Sequence, residues 1–170
     1  MDLMNVLQER YSVRDFLPRS IEADKLGRIL DAGRLAPTAK NLQPQRIYLL
    51  QSPESLETIR GITRCAFNAP VVLLIAVDTD TAWVNPFDSR ITSADQDAAI
   101  VATQMMLAAW NEGIGSCWVC YMPNEEVRRA FALPENEKPV LLMPLGYPAT
   151  DHPSPNHGKR KPLSETVTVL

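Results

Sequence analysis

Apolar residues along the first third of the chain recur at helical spacing and then give way to unbroken apolar runs, a pattern that predicts helices and strands in mixture. Leu3, Val6 and Leu7 form a short stripe behind Asp2, a candidate N-cap. Ser20, Glu22 and Asp24 open a second helix whose apolar face is Leu26, Ile29, Leu30 and Gly33, and Pro37 ends it. Residues 46–50 read as a strand, and Ser52 with Pro53 starts a short helix. The continuous apolar run over 71–77 is what a central strand covered on both faces shows. From Ser93 to Trp110 the pattern is helical and apolar on most sides, and Gly113 stands where a C-terminal cap belongs. A strand over 117–122, a helix from Pro123 through Phe131 and a strand over 139–145 follow. Together they predict one α+β layered domain over residues 1–170.

Beyond Gly146 the character changes. Residues 147–155 are proline-dense and suit neither a helix nor a central strand, so 147–170 is expected to be an extended arm. The arm carries a basic cluster, Lys159, Arg160 and Lys161, and ends in an alternating run over 166–170. That run is expected to be an edge strand paired with a second subunit of a homodimer.

Composition narrows the classes. A chain of 170 residues with 45% apolar content can bury a core of its own, and a net charge of −3 argues against nucleic acid as partner. Neither a basic-then-apolar leader nor an apolar run near ~20 residues is present, which excludes a membrane span and predicts a cytoplasmic protein. Three cysteines, Cys65, Cys117 and Cys120, are too few for a disulfide scaffold. The C-x-x-C pair is read as two buried structural thiols on a strand rather than a redox dithiol at a helix start. His152 and His157 lie in the arm, so a triad and a histidine metal site both lack parts, and no metal is expected. No phosphate-loop or dinucleotide glycine pattern occurs either. Asp95 and Asp97 are read as complementing a helix dipole. With protein acid–base groups this scarce, an enzyme of this sequence needs a cofactor for the hard step.

Two segments offer ligand chemistry. Arg10, Ser12 and Arg14 alternate, and in an extended stretch they share one side, an arrangement that suits a ligand rich in oxygen acceptors. Between Pro37 and Pro44 lie Thr38, Lys40, Asn41 and Gln43; amides both donate and accept, as the edge of a heterocyclic ring demands.

Four motifs stand in order: Arg10-x-Ser12-x-Arg14, A-P-[ST]-A-x-N-x-Q-P over 36–44, G-[IL]-G-S-C-W over 113–118, and G-Y-P-A over 146–149 with a basic patch before Pro162-Leu163. On these motifs the chain resembles the nitroreductase family of FMN-dependent oxidoreductases along nearly its whole length. The resemblance implies a three-layer α/β/α sandwich with a mostly antiparallel central sheet, and an intertwined homodimer that exchanges arms and holds FMN at both subunit interfaces. It also implies transfer of two electrons from NADH or NADPH to a small-molecule acceptor, such as a nitroaromatic or quinone, by a ping-pong cycle. Position by position, it assigns Arg10 to the FMN phosphate, Ser12 to phosphate or ribityl oxygens and Arg14 to the N1/C2-carbonyl edge of the ring. Thr38, Asn41 and Gln43 would come from the other subunit, Lys159 and Arg160 would reach the phosphate, and Ser116, Cys117 and Trp118 would line the flavin through backbone groups. A flavin protein with a storage, sensing or cofactor-modifying role is the alternative. Gln45 stands where the family commonly has an aromatic residue, and only a short lid fits, around 81–91, with Trp83, Phe87 and Arg90 as candidate substrate contacts.

Overall fold

The unbroken apolar run becomes the middle of a sheet. In a computed structural model, which describes residues 2–170, strand β2 (Val71–Asp78) is buried along its whole length. It pairs antiparallel with β1 (Gln45–Leu50) on one side and with β4 (Glu137–Gly146) on the other. The two-residue strand β3 (Gly115–Ser116) pairs with β4, giving the order β1-β2-β4-β3.

Strand alternation sorts the core into two halves. Val71, Leu73, Ile75 and Val77 face helices α2 (Ala23–Arg34) and α4 (Ala94–Asn111). Val72, Leu74 and Ala76 pack instead with Leu56 and Ile59 of α3 (Pro53–Ile62) and Val127 of α5 (Asn124–Ala130). The result is the expected three-layer α/β/α sandwich, with α1 (Leu3–Glu9) and the one-turn α6 (Leu163–Thr166) at the chain ends. Gly33 is on the α2 face because α4 passes close: a Cβ there would lie 2.8 Å from Met105 Cγ. Among the described residues no helix is long and apolar enough to cross a membrane.

Several expectations need correction. Asp2 does not cap α1 with its side chain; its carbonyl accepts the Val6 N–H at 3.1 Å. Helix α2 begins at Ala23, not Ser20, and Glu22 is bonded elsewhere. The Tyr147 hydroxyl, with Arg19 beside it, pulls the Glu22 carboxyl down to about 2. Helix α5 starts one residue after Pro123 and stops at Ala130.

The strand expected over 117–122 ends at Ser116, and only Val119 pairs further on, exchanging two hydrogen bonds with Leu142. The cause is Pro144: opposite Cys117 it accepts that residue's N–H at 3.3 Å but has no N–H to return. At the end of the arm Thr166 belongs to α6 rather than to the strand expected over 166–170, and residues 167–170 run on exposed, Val167 with extended backbone angles.

Candidate functional site

The stretch from Arg10 to Phe16 lies alongside β3. Ser12 forms a parallel bridge with Ser116, and the Val13 N–H donates to Ser116 O at 2.9 Å. Tyr11 and Val13 are buried, whereas Arg10 and Ser12 are half-buried and Arg14 is exposed, so the predicted alternation holds. Two glycines permit this approach: a Cβ on Gly115 would lie 2.6 Å from Val13 Cγ2, and one on Gly146 would lie 2.9 Å from Phe16 Cδ1. Larger residues there would push the strand off the sheet edge.

The arm then crosses the same strand. Leu17 N–H donates to Tyr147 O, Ala149 N–H to Asp15 O, and the Tyr11 hydroxyl to Thr150 O at 2.7 Å. The His157 ring meets Tyr11 edge-on at 6.2 Å between centroids. A depression of about 280 Å³ results, lined by Tyr11, Ser12, Arg14, Ser154, Asn156 and His157. Lys159 follows immediately, its N–H bonded to Asn156 O, and the Arg160 guanidinium turns back onto the carbonyls of His157 and Lys159. The first part of the arm thus packs along the chain's own N-terminal strand.

Among the described residues, cations without acidic partners occur in several places, Lys25, Lys40, Arg60, Arg64 and Arg129 included, but at this corner they fall close together along the two crossing segments. Arg19, Arg28, Arg34, Arg46, Arg90 and Arg128 all sit in ion pairs. Among the described residues Arg10, Arg14, Lys159 and Arg160 have no acidic partner, and the one hydrogen bond of the Arg14 side chain is a long one, 3.3 Å, to Ser12 O. Arg10, Arg14, Lys159 and the Ser12 hydroxyl are a donor set for phosphate and carbonyl oxygens, with Arg160, bonded to two carbonyls of its own segment, beside them.

Ser116 and Cys117 belong to the same corner. The Ser116 carbonyl and the Cys117 N–H are engaged in the sheet, by Val13 and Pro144. Burial pushes the Cys117 thiol up, with Arg14 and the Ser12 hydroxyl acting against the shift. Only one of the paired cysteines is buried, contrary to expectation: positions three apart face opposite ways, and Cys120 lies exposed with its Sγ 3.1 Å from Trp118 Nε1.

The second candidate segment is built differently. Between α2 and β1 the chain makes a 3-10 turn, Ala39–Asn41, and enters the left-handed region at Lys40 (φ 51°), Asn41 (φ 56°) and Gln43 (φ 52°). Each such residue costs roughly 1–3 kcal/mol unless its surroundings enforce it. Here Thr38 Oγ1 accepts the Gln43 N–H at 3.0 Å, and Asp97 Oδ1 accepts the Ala39 N–H at 2.9 Å. The Pro44 carbonyl accepts from Asp78 N–H, and Arg46 ties Gln45 O to the Asp78 carboxylate. The exposed Asn41 amide has no side-chain bond among the described residues, and Gln45 Oε1 is buried without a partner.

Asp97 was missed as more than a dipole partner. Its neighbour Asp95 is exposed and pairs with Lys138 at 2.8 Å, whereas Asp97 is 2% exposed. The signal was its place in the 97-101-105 stripe, where Val101 and Met105 are fully buried. The segment after β2 is a turn-rich loop closed by a Val84–Thr92 bridge. In it Trp83 is half-buried, while Phe87 is 97% exposed and does not pack on the body of the protein.

The two candidate segments sit at opposite corners. Gln45 faces Val77 at one end of β2, while Ser116 reaches Val71 at the other end through Leu145. With about 3.4 Å per residue and about 4.8 Å per strand, six residues and three strand spacings separate them by roughly 25 Å.

Comparison with known proteins agrees with this architecture. The model of the Nitroreductase family matches residues 7–68 and 61–147. A nitroreductase family protein from Clostridium difficile 630 has the same fold, with a TM-score of 0.92 and 36% identity over 99% of this chain and 98% of that one. A protein of Methanothermobacter thermautotrophicus, provisionally named an NADH dehydrogenase/NAD(P)H nitroreductase, is 29% identical over 156 residues, 88% of this chain and 78% of its own length. An Exiguobacterium sibiricum protein solved in complex with FMN shares the fold at a TM-score of 0.85 and 19% identity, covering 100% of this chain and 98% of that one. With its sandwich, its motifs and this match along most of its length, the chain belongs to the nitroreductase family.

Proposed function

We propose that the chain is an FMN-dependent oxidoreductase that takes two electrons from NADH or NADPH and passes them to a small acceptor such as a nitroaromatic or quinone. The observation that supports this reading is the depression where the arm crosses the N-terminal strand, lined by Ser12 and Arg14, with Arg10, Lys159 and Arg160 adjoining its lining residues in sequence and lacking acidic partners among the described residues. When bound, FMN supplies the two-electron chemistry in a ping-pong cycle. Arg10, Lys159 and Arg160 hold the phosphate, and Ser12 donates to phosphate or ribityl oxygens. Arg14 keeps a fixed positive charge at the N1/C2-carbonyl edge, where electron density grows on reduction, and so favours the reduced state. Ser116, Cys117 and Trp118 form the wall beside it.

Thr38, Asn41 and Gln43 of the partner subunit complete the site in this reading. Roughly 25 Å between the two segments, by the strand spacings above, is more than one flavin ring bridges within a chain, and a second copy removes the difficulty. Apolar side chains left exposed at both ends favour the same conclusion: Leu3, Met4 and Leu7 on α1, and Leu163, Val167, Val169 and Leu170 on the arm. A homodimer is the assembly these features support.

The test is the absorbance spectrum of purified protein, followed by NAD(P)H oxidation with menadione or nitrofurazone. Flavin bands in the blue and near-ultraviolet with acceptor-dependent turnover are expected. A colourless protein that refuses added FMN overturns the proposal, and stoichiometric flavin without turnover moves it to a storage or sensing role.

A further inference from the structure

Among the described residues Asp97 is the most deeply buried carboxylate, and its side chain bonds to two different segments. Asp97 Oδ1 accepts the Ala39 N–H at 2.9 Å, and Oδ2 accepts the Ser93 hydroxyl at 2.6 Å. Ser93 Oγ in turn accepts the Trp83 N–H at 3.2 Å, while the Ser93 N–H donates to Trp83 O at 2.9 Å. Asp97 is in no ion pair among the described residues, and it lies in the stripe that also buries Val101 and Met105. A carboxyl group in such a place is costly unless hydrogen-bonded, and neither bond serves the packing of α4 on the sheet. Both serve loops.

We infer that Asp97 is a positioning residue for the flavin site proposed above. It fixes the left-handed 38–43 loop through Ala39 and, by way of Ser93, ties that loop to the segment carrying Trp83, Phe87 and Arg90. The Ser93 hydroxyl proton points to Asp97 and its lone pair takes the Trp83 N–H, so the relay has one direction and no free end. The loop that presents Thr38, Asn41 and Gln43 cannot shift without releasing the carboxylate that also anchors the neighbouring segment. Cofactor binding and acceptor binding are thereby coupled through one side chain that touches neither ligand. The inference rests on the FMN reading for its functional part, but the coupling itself is a property of the flavin-free chain.

Three variants test it: Asp97→Ala, Asp97→Asn and Ser93→Ala, each compared with the full-length parent by backbone amide hydrogen exchange without flavin, by FMN titration and by acceptor KM. In Asp97→Ala the Ala39 amide exchanges at least about tenfold faster and the FMN Kd rises about tenfold, the scale of one lost buried hydrogen bond. Asp97→Asn keeps an acceptor for Ala39 and restores the Kd to within about threefold of the parent, since a neutral bond replaces a stronger one. Ser93→Ala speeds exchange at Trp83 and raises the acceptor KM with the FMN Kd unchanged. A folded Asp97→Ala protein with parental exchange at Ala39 and parental Kd overturns the inference. Should that variant fail to fold, parental exchange at Trp83 and parental KM in Ser93→Ala overturn it instead. A parent that binds no FMN removes the proposed function and leaves the exchange comparison to decide the coupling.

Discussion

The strand from Arg10 to Phe16 is seated on β3 by backbone pairing and two glycines, with no left-handed φ angle, whereas residues 38–43 carry three left-handed φ angles and are held by local backbone bonds within the turn, by the Thr38 hydroxyl and by one buried carboxylate. The first segment borrows rigidity from the sheet edge. The second is tied to the body of the protein at its start by Asp97, and its left-handed turn is closed by the Thr38 hydroxyl. Ligand contacts on the strand side should therefore survive loss of any single side chain that does not alter the edge, while contacts on the loop side depend on individual hydrogen bonds.

The largest effect expected on this contrast comes from removing the arm. Deleting 147–170 strips Tyr147, Pro148 and Thr150 from the N-terminal strand and should abolish FMN retention, read as flavin content. Deleting only 158–170 leaves that cover, so the fold should persist while Lys159 and Arg160 are lost, with weaker flavin binding and a smaller sedimentation mass. Equal loss in both deletions would break the distinction between the two halves of the arm.

Gly115→Ala comes next, since its Cβ would press Val13 at 2.6 Å. We expect about 1–3 kcal/mol of destabilisation in the urea midpoint, with looser FMN binding. An unchanged midpoint would mean that the strand is not seated as tightly as described. Lys40→Gly works in the opposite sense on the loop. It relieves φ 51° at an exposed position, and thermal unfolding should show a gain of about 0.5–1 kcal/mol. Destabilisation would show that the Lys40 side chain, not its backbone angle, matters there.

How much of this was legible follows from the same contrast. The 71–77 run, the alternation from Arg10 to Arg14 and the long apolar helix could be read directly, because period and burial coincide in them. The break after Ser116 could not, because it depends on Pro144 standing opposite Cys117, a pairing fixed only when β3 and β4 meet. The left-handed loop was equally hidden: Lys40, Asn41 and Gln43 include no glycine, and the loop is anchored at Ala39 by Asp97, more than fifty residues away in sequence. The short helix Leu163–Thr166 was hidden in the same way, since four residues after Pro162 carry no periodic signal of their own.

The smallest effect concerns Cys117. Burial raises its pKa, so the folded chain keeps the thiol proton at a pH where the unfolded chain has lost it. This contribution to stability is complete below the ordinary thiol range and fades as pH rises above it. Thiol labelling at pH 8 should accordingly reach exposed Cys120 first and Cys117 last. Equal rates at the two would contradict the seating of β3.

The central claim is that Arg14 of one chain and Asn41 of its partner serve the same flavin. Arg14→Ala and Asn41→Ala chains, each weakened in FMN binding, can be co-expressed with different tags and the heterodimer isolated by both. If the segments meet across the interface, one site of that dimer carries both substitutions and the other neither, so FMN titration returns a parental Kd at one flavin per two chains. If the heterodimer shows only weakened sites, both residues act within one chain and the account is wrong.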